Sequence, residues 1–418
     1  MCKKVLLVAT RKFWPVNSGK DLTLFYNCKG LNERYGYKVF VYCMDSETNP
    51  HMPVPAFIEE VKFLGRISLL ERFCNLIRYS VFGAKWPIQI ALYRSKRAIR
   101  ELQSYFNEIN PDVVFIDMIR LAPYSEIFFS QECKKILIMD DDLAKRYKRQ
   151  LATQAADSDV MGAYSDKLPK SIRCILHLNF LKSAILKFEI PRIEKAECKI
   201  IPLYDYITYI SPVERDEFEM RHHSGKGVLL TVGTNLPSVD SRENKIIKRR
   251  NTLVFVGNFS VAANVDSLTM IVAKVLPKLR KDAVLHVIGK CPRVLSEKFQ
   301  DNIRVKMHGR VENLVQEIMT CMIYIAPIAY GTGIKSKIIE AMGMSMPVVT
   351  NTMGVEGIVA RNGVDVFVRD DFDEMAAIVE RLLDDDNLRE TIGANARQFV
   401  LKNHTWDRVY NAFDEMGL

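Results

Sequence analysis

The chain has 418 residues, 48% of them hydrophobic and 26% charged, with a formal net charge of +9. This length exceeds one ordinary core and predicts two domains, and the composition excludes a disordered, collagen-like or coiled-coil protein. The longest apolar stretches, 68–83 and 174–190, are broken by Glu71, Arg72 and Arg78 and by His177, Lys182 and Lys187, which argues against a spanning helix. Only five apolar residues follow Lys4 before Arg11 and Lys12, too few for a secretory leader, so a cytosolic protein is expected. The nine cysteines include no C-x-x-C pair and read as small hydrophobes in a reducing compartment.

In chain order, residues 4–10 predict a buried strand, 21–34 a helix and 37–44 a second strand, a complete βαβ unit. Residues 112–117 and 135–140 predict strands ending in acidic residues, and 206–211 a further strand with Pro212 opening a helix. From about 215 to 251 the pattern lapses into a polar, turn-rich stretch, where the domain boundary is placed. A second series follows: strands 253–257, 284–289, 305–309, 322–327, 347–350 and 364–368, with helices over 265–281, 311–319, 334–344, 373–403 and 406–416. The expected fold class is α/β, two doubly wound Rossmann-like sheets in tandem. The expected domains are 1–235, 251–395, and a pair of C-terminal helices over 396–418 that cross back to the first. Such sheets bind ligands beyond the carboxyl ends of their strands, so the loops after strands are where chemistry is sought.

The loop after strand 322–327 is the most informative. Gly331 and Gly333 let the backbone turn sharply and approach a ligand. The helix behind them offers its free N–H groups as a phosphate seat, with Lys335 and Lys337 beside it. Glu340, a turn further on, is placed to accept from ribose hydroxyls. A glycine turn with a surface Lys–Glu pair is the plain structural alternative.

The stretch 330–350, YGTGIKSKIIEAMGMSMPVVT, resembles the donor-binding segment of family-4 retaining glycosyltransferases of GT-B fold, in the branch with a G-x-G-x-K-x-K-x-x-E-A-M motif. Ordered matches flank it: 255–259 (FVGNF) with Asn264 and Asp266, 287–289 (VIG) with Pro292, 308–311 (HGRV), 394–397, and Thr405-Trp406. Weaker ones lie at 15–19, 139–142 and 209–212. The resemblance implies a donor site of Asn258, Arg310, Tyr330, Gly331, Thr332, Gly333, Ile334, Lys335, Lys337 and Glu340. It also implies a nucleotide-sugar donor, a glycan or lipid-linked glycan acceptor, retention, and polysaccharide biosynthesis. The family carries two glutamates eight positions apart. Glu340 matches the second, but Thr332 replaces the first, leaving the main-chain amides of 332–334 to serve the donor. The usual Arg and Lys clamp after the first strand of this domain is also absent, and one or both of Lys335 and Lys337 are its replacement.

Gly19, in a βα turn that is not a Walker loop, matches a family glycine that lets the backbone approach donor or acceptor. Asp140, Asp141 and Asp142 end a strand: Asp140 is a candidate base or hydroxyl anchor, and at least two of the three are expected to cap the next helix. The expected catalytic set is thus Gly19, Asp140, Lys335 and Lys337. No cofactor or metal is expected, since a helix dipole and lysines suffice for charge, and His222-His223 reads as solvated. Two basic amphipathic stretches, 66–100 and 167–199, suggest contact with the inner face of a membrane. No nucleic-acid module is present. Two other readings stay open: a nicotinamide oxidoreductase, from Gly331-x-Gly333-x-x-Ser336 with Glu356, and a non-catalytic partner subunit.

Overall fold

The computed structural model describes residues 3–16, 18–44, 52–65, 67–82, 86–128, 132–152, 179–237, 247–331 and 333–418. Thr332, Arg66, residues 167–178 and part of the expected boundary (238–246) lie outside these. The chain divides into two compact units, Met1–Thr231 with Tyr410–Leu418, and Val232–Val409.

Among the described residues the first unit is built on seven strands: β1 Lys4–Ala9, β2 Lys38–Cys43, β3 Ile58–Phe63, β4 Val113–Asp117, β5 Lys134–Asp140, β6 Tyr206–Tyr209 and β7 Gly227–Leu229. All pair in parallel in the order β3-β2-β1-β4-β5-β6-β7. Central strands covered on both faces read as continuous apolar runs; all five residues of β4, VVFID, are buried. Helix Gly19–Glu33 starts where the Ser18 hydroxyl accepts from the Asp21 N–H at 3.2 Å.

Among the described residues the second unit has six strands: β8 Thr252–Val256, β9 Val284–Ile288, β10 Val305–Gly309, β11 Ile323–Ala326, β12 Val348–Thr350 and β13 Phe367–Val368. They pair in parallel in the order β10-β9-β8-β11-β12-β13. The strand order reverses direction between β1 and β4 in one sheet and between β8 and β11 in the other. A crevice opens at such switch points.

Several expectations need correction. β3 and β7 were not anticipated, and β7 falls inside the stretch read as a linker. Residues 373–403 are not one helix but two, Phe372–Asp384 and Asp386–Asn403, split at Asp385, whose carboxylate caps the second by accepting from the Leu388 N–H at 2.9 Å. The helix expected over 265–281 runs Ala262–Met270, then winds as a π turn Ile271–Val275 and a 3-10 turn Leu276–Lys278 around Pro277.

The last nine residues complete the first unit. Tyr410 donates from its hydroxyl to the Tyr26 carbonyl at 2.8 Å, and Phe413 and Met416 are fully buried. Gly30 has no side chain because a Cβ there would lie 2.4 Å from the Tyr410 ring. Among the described residues no helix is long and apolar enough to cross a membrane.

Candidate active site

In the second unit, the loop after β11 is anchored before it turns. Asn351 accepts from the Ile328 N–H at 3.0 Å and donates to the Ile328 carbonyl at 2.9 Å, and Ser267 Oγ accepts from the Ala329 N–H at 3.1 Å. Gly331 (φ 147°) and Gly333 (φ 67°) then adopt backbone conformations that disfavour side chains. Lys335 precedes helix Ser336–Gly343 and its side chain makes no cap, while its carbonyl accepts from the Ile338 N–H at 2.9 Å. Its ammonium folds back to the Gly333 carbonyl at 2.6 Å. The helix is held by Ile338, Ile339, Ala341 and Met342, all buried. Lys337 Nζ donates to both Glu340 carboxylate oxygens, at 2.9 and 2.7 Å, so these two side chains form one ion pair. Tyr330 and Ile334 are half-buried; Thr332 is outside the described residues.

Across the switch point, the β8 loop brings Asn258. Its side-chain oxygen accepts from the Ser260 N–H at 3.1 Å, and Asn264 donates to its carbonyl at 2.9 Å. The 257 and 289 glycines are in close backbone contact: a Cβ on Gly289 would sit 1.9 Å from the Gly257 carbonyl oxygen. Arg310 is exposed just past the end of the edge strand β10, two strands from the switch point. Beside it, His308 and His286 stack at 4.9 Å with Nε2 and Nδ1 2.9 Å apart. Arg249 also reaches His286 Nδ1 at 3.2 Å. Arginine only donates, so that nitrogen is the acceptor and His308 donates to it. Burial, with His308 and Arg249 close by, pushes the His286 pKa down to about 4.

The first unit carries a second cluster at its own switch point. Lys20, in the first turn of helix Gly19–Glu33, is bonded to Asp117 Oδ1 at 2.6 Å and to Asp140 Oδ2. Thr10, just past β1, donates to the other Asp117 oxygen through its N–H (3.0 Å) and hydroxyl (2.6 Å). Burial acts to lower the Lys20 pKa, but the two carboxylates outweigh it and hold it above its ordinary value. Burial, abetted by the Asp117 charge, pushes Asp140 up against the pull of Lys20. Met118 (φ 66°) and Asp140 (φ 60°) are both left-handed without being glycine, a local strain that clusters at functional sites.

Of the acidic run, only Asp142 caps, accepting from the Lys145 N–H at 2.9 Å and pairing with Arg221 at 2.6 Å; Asp141 pairs with Arg146 at 2.7 Å. At least two of the three were expected to cap, but an arginine one turn into the helix captures Asp141. His222, expected to be solvated, pairs with the buried Glu197 at 3.1 Å. Lys20 and Thr10 were missed by sequence reasoning. Their signal was positional: Thr10 lies in the loop after β1 and Lys20 in the first turn of the helix that follows it, which doubly wound topology sets beside the end of β4.

Two parallel sheets of this order define the class: the fold is that of the GT-B glycosyltransferases. Sucrose-phosphate synthase from Thermosynechococcus elongatus superimposes with a TM-score of 0.67 at 15% identity, covering 99% of this chain and 98% of that one. Anabaena HepE in complex with UDP-glucose superimposes with a TM-score of 0.61 at 12% identity, with 99% and 98% covered. At the level of sequence, residues 250–385 match the glycosyl transferases group 1 family. A Klebsiella pneumoniae relative, described as an uncharacterized 44.6 kDa protein in cps region, is 24% identical over 222 residues. That match spans 50% of this chain and 55% of the relative.

Proposed function

We propose that this chain is a glycosyltransferase that moves a sugar from a nucleoside-diphosphate donor to a hydroxyl of a glycan or lipid-linked glycan, with retention, in polysaccharide or glycoconjugate biosynthesis on the cytosolic side. The observation that carries the reading is the anchored glycine loop opening an uncapped helix at the β8/β11 switch point, with an acidic residue one turn in. Diphosphate oxygens take the N–H groups at the helix start, and Glu340 accepts from the ribose hydroxyls. As the donor bond breaks, charge grows on the leaving diphosphate, and the helix dipole with Lys335 and Lys337 stabilises it. The leaving oxygen is then basic enough to take the acceptor proton. In this reading Lys337 releases part of its hold on Glu340 when donor binds.

The first-unit cluster is read as a hydroxyl-binding group, with Asp140 and Lys20 offering an acceptor and a donor side by side near the Gly19 turn. The group 1 match within 250–385 and the UDP-glucose bound by the Anabaena protein support the donor class and make uridine the first base to test. The test is thermal stabilisation by UDP, GDP, ADP, CMP, dTDP and NAD, on wild type and Glu340→Ala. A ligand at a hundred times its Kd adds ~2.7 kcal/mol. Stabilisation by one nucleoside diphosphate, lost in the variant, upholds the reading; stabilisation by NAD alone transfers it to the oxidoreductase class.

A further inference from the structure

The helix Leu69–Asn75 begins soon after β3, at the carboxyl end of the first sheet, and continues as a π-wound segment Leu76–Val81. No residue of Leu69–Asn75 is buried. Its apolar residues face solvent instead: Leu69 is 64% exposed, Leu70 74%, Phe73 59% and, just past the π segment, Phe82 83%. An ordinary surface helix turns such residues inward, and a cluster of this kind marks an interaction face.

The surrounding charge is mostly positive. Between 67 and 100 the sequence carries seven Lys or Arg and one acidic residue, Glu71. Arg78 and Arg94 lie over the Tyr79 ring at 5.5 and 5.3 Å, while Lys96 and Arg100 are exposed. Helix Asn179–Ile200 joins the same neighbourhood: Glu189 accepts from the Ile88 N–H at 2.9 Å, and Lys199 lies 5.5 Å from the Trp86 ring. Its exposed positions include Lys187, Phe188, Lys195 and Lys199, again apolar and basic, and its one part-exposed acid, Glu194, is paired with Lys148 at 2.6 Å. A protein partner of matching shape would need its own acidic rim. An anionic bilayer supplies both an apolar layer for the leucines and phenylalanines and phosphates for the flanking cations.

We propose that residues 69–82, flanked by Arg78, Lys96, Arg100 and Lys199, form a docking face for an anionic lipid bilayer, lying in its surface without crossing it. This stands independently of the sugar-transfer reading, since it rests on residues outside both switch-point clusters.

The test is co-sedimentation of the full chain with phosphatidylcholine vesicles, with and without phosphatidylglycerol. Wild type is expected to sediment with the phosphatidylglycerol vesicles only, and to be released by salt. Combined Leu69→Ser, Leu70→Ser, Phe73→Ser and Phe82→Ser is expected to weaken partitioning at least ~tenfold, with the thermal midpoint unchanged because all four side chains are exposed. Arg78→Gln with Arg100→Gln is expected to cost roughly fivefold per charge. Failure of wild type to bind either vesicle, or retention of binding by the fourfold variant, overturns the proposal. So does a wild type that self-associates through this face, seen as a mass change on serine substitution without any vesicle binding.

Discussion

The two units share a plan and spend it differently. Both place their polar residues where the strand order reverses, yet the first builds its cluster from buried side chains and the second from backbone. At the β1/β4 switch, Lys20 is locked between Asp117 and Asp140, two carboxyl groups to one ammonium. At the β8/β11 switch, the loop presents glycines, an uncapped helix start and Lys335, with Lys337 and Glu340 neutralising each other. The first arrangement suits neutral hydroxyls, the second an anion. One topology therefore yields opposite electrostatics, decided by a few residues past the strand ends.

Breaking the side-chain cluster should have the largest effect. Lys20→Met leaves two buried carboxylates without their cation, and is expected to cost about 3–5 kcal/mol in chemical denaturation. The equivalent change in the second unit, Lys335→Met, should leave stability within ~0.5 kcal/mol while lowering kcat roughly tenfold to a hundredfold. Equal destabilisation by both would erase the contrast.

A second measurement sharpens it through pH. Burial raises the Glu189 pKa from 4.5 to about 7, against the pull of the Ile88 and Gln89 N–H groups and of Arg192. The folded chain thus keeps this proton when the unfolded chain has released it. Its contribution is full below about 4.5 and is lost as pH rises through about 7. Glu189→Gln should flatten this dependence and stabilise the chain at pH 8 by on the order of 2–3 kcal/mol, read from thermal midpoints.

Glu340→Ala should raise donor KM and lower turnover, together worth about 1.5–3 kcal/mol in kcat/KM. Unchanged kinetics would remove Glu340 from the donor site. The smallest effect is expected from EDTA, which should alter turnover by less than about twofold if helix and lysines carry the charge.

Much of this plan is legible in the sequence because parallel strands covered on both faces are written as plain apolar runs. β1, β4 and β8 are found within a residue or two for that reason. β3 (IEEVKF) sits at the sheet edge, where polar residues are tolerated, and β7 is three residues long; neither gives a run to read. The break at Asp385 hides inside Asp384-Asp385-Asp386, a capping signal embedded in an otherwise continuous helical pattern. The donor loop is legible because its parts are contiguous. The Lys20 cluster joins residues about a hundred positions apart, and only the strand order, not any local spacing, brings them together.

The return of Tyr410–Leu418 to the first unit bears on how the chain is made. A ribosome delivers residues in order, and the pieces of a continuous domain can collapse as they emerge. Here the ring that seats against Gly30 and the buried Phe413 and Met416 arrive after the whole second unit has been synthesised. The amino-terminal sheet must therefore wait, incompletely covered, while some 180 further residues are added, about the size of a domain. Nascent chains stalled before Tyr410 should accordingly lean on chaperones more heavily than those stalled after Leu418.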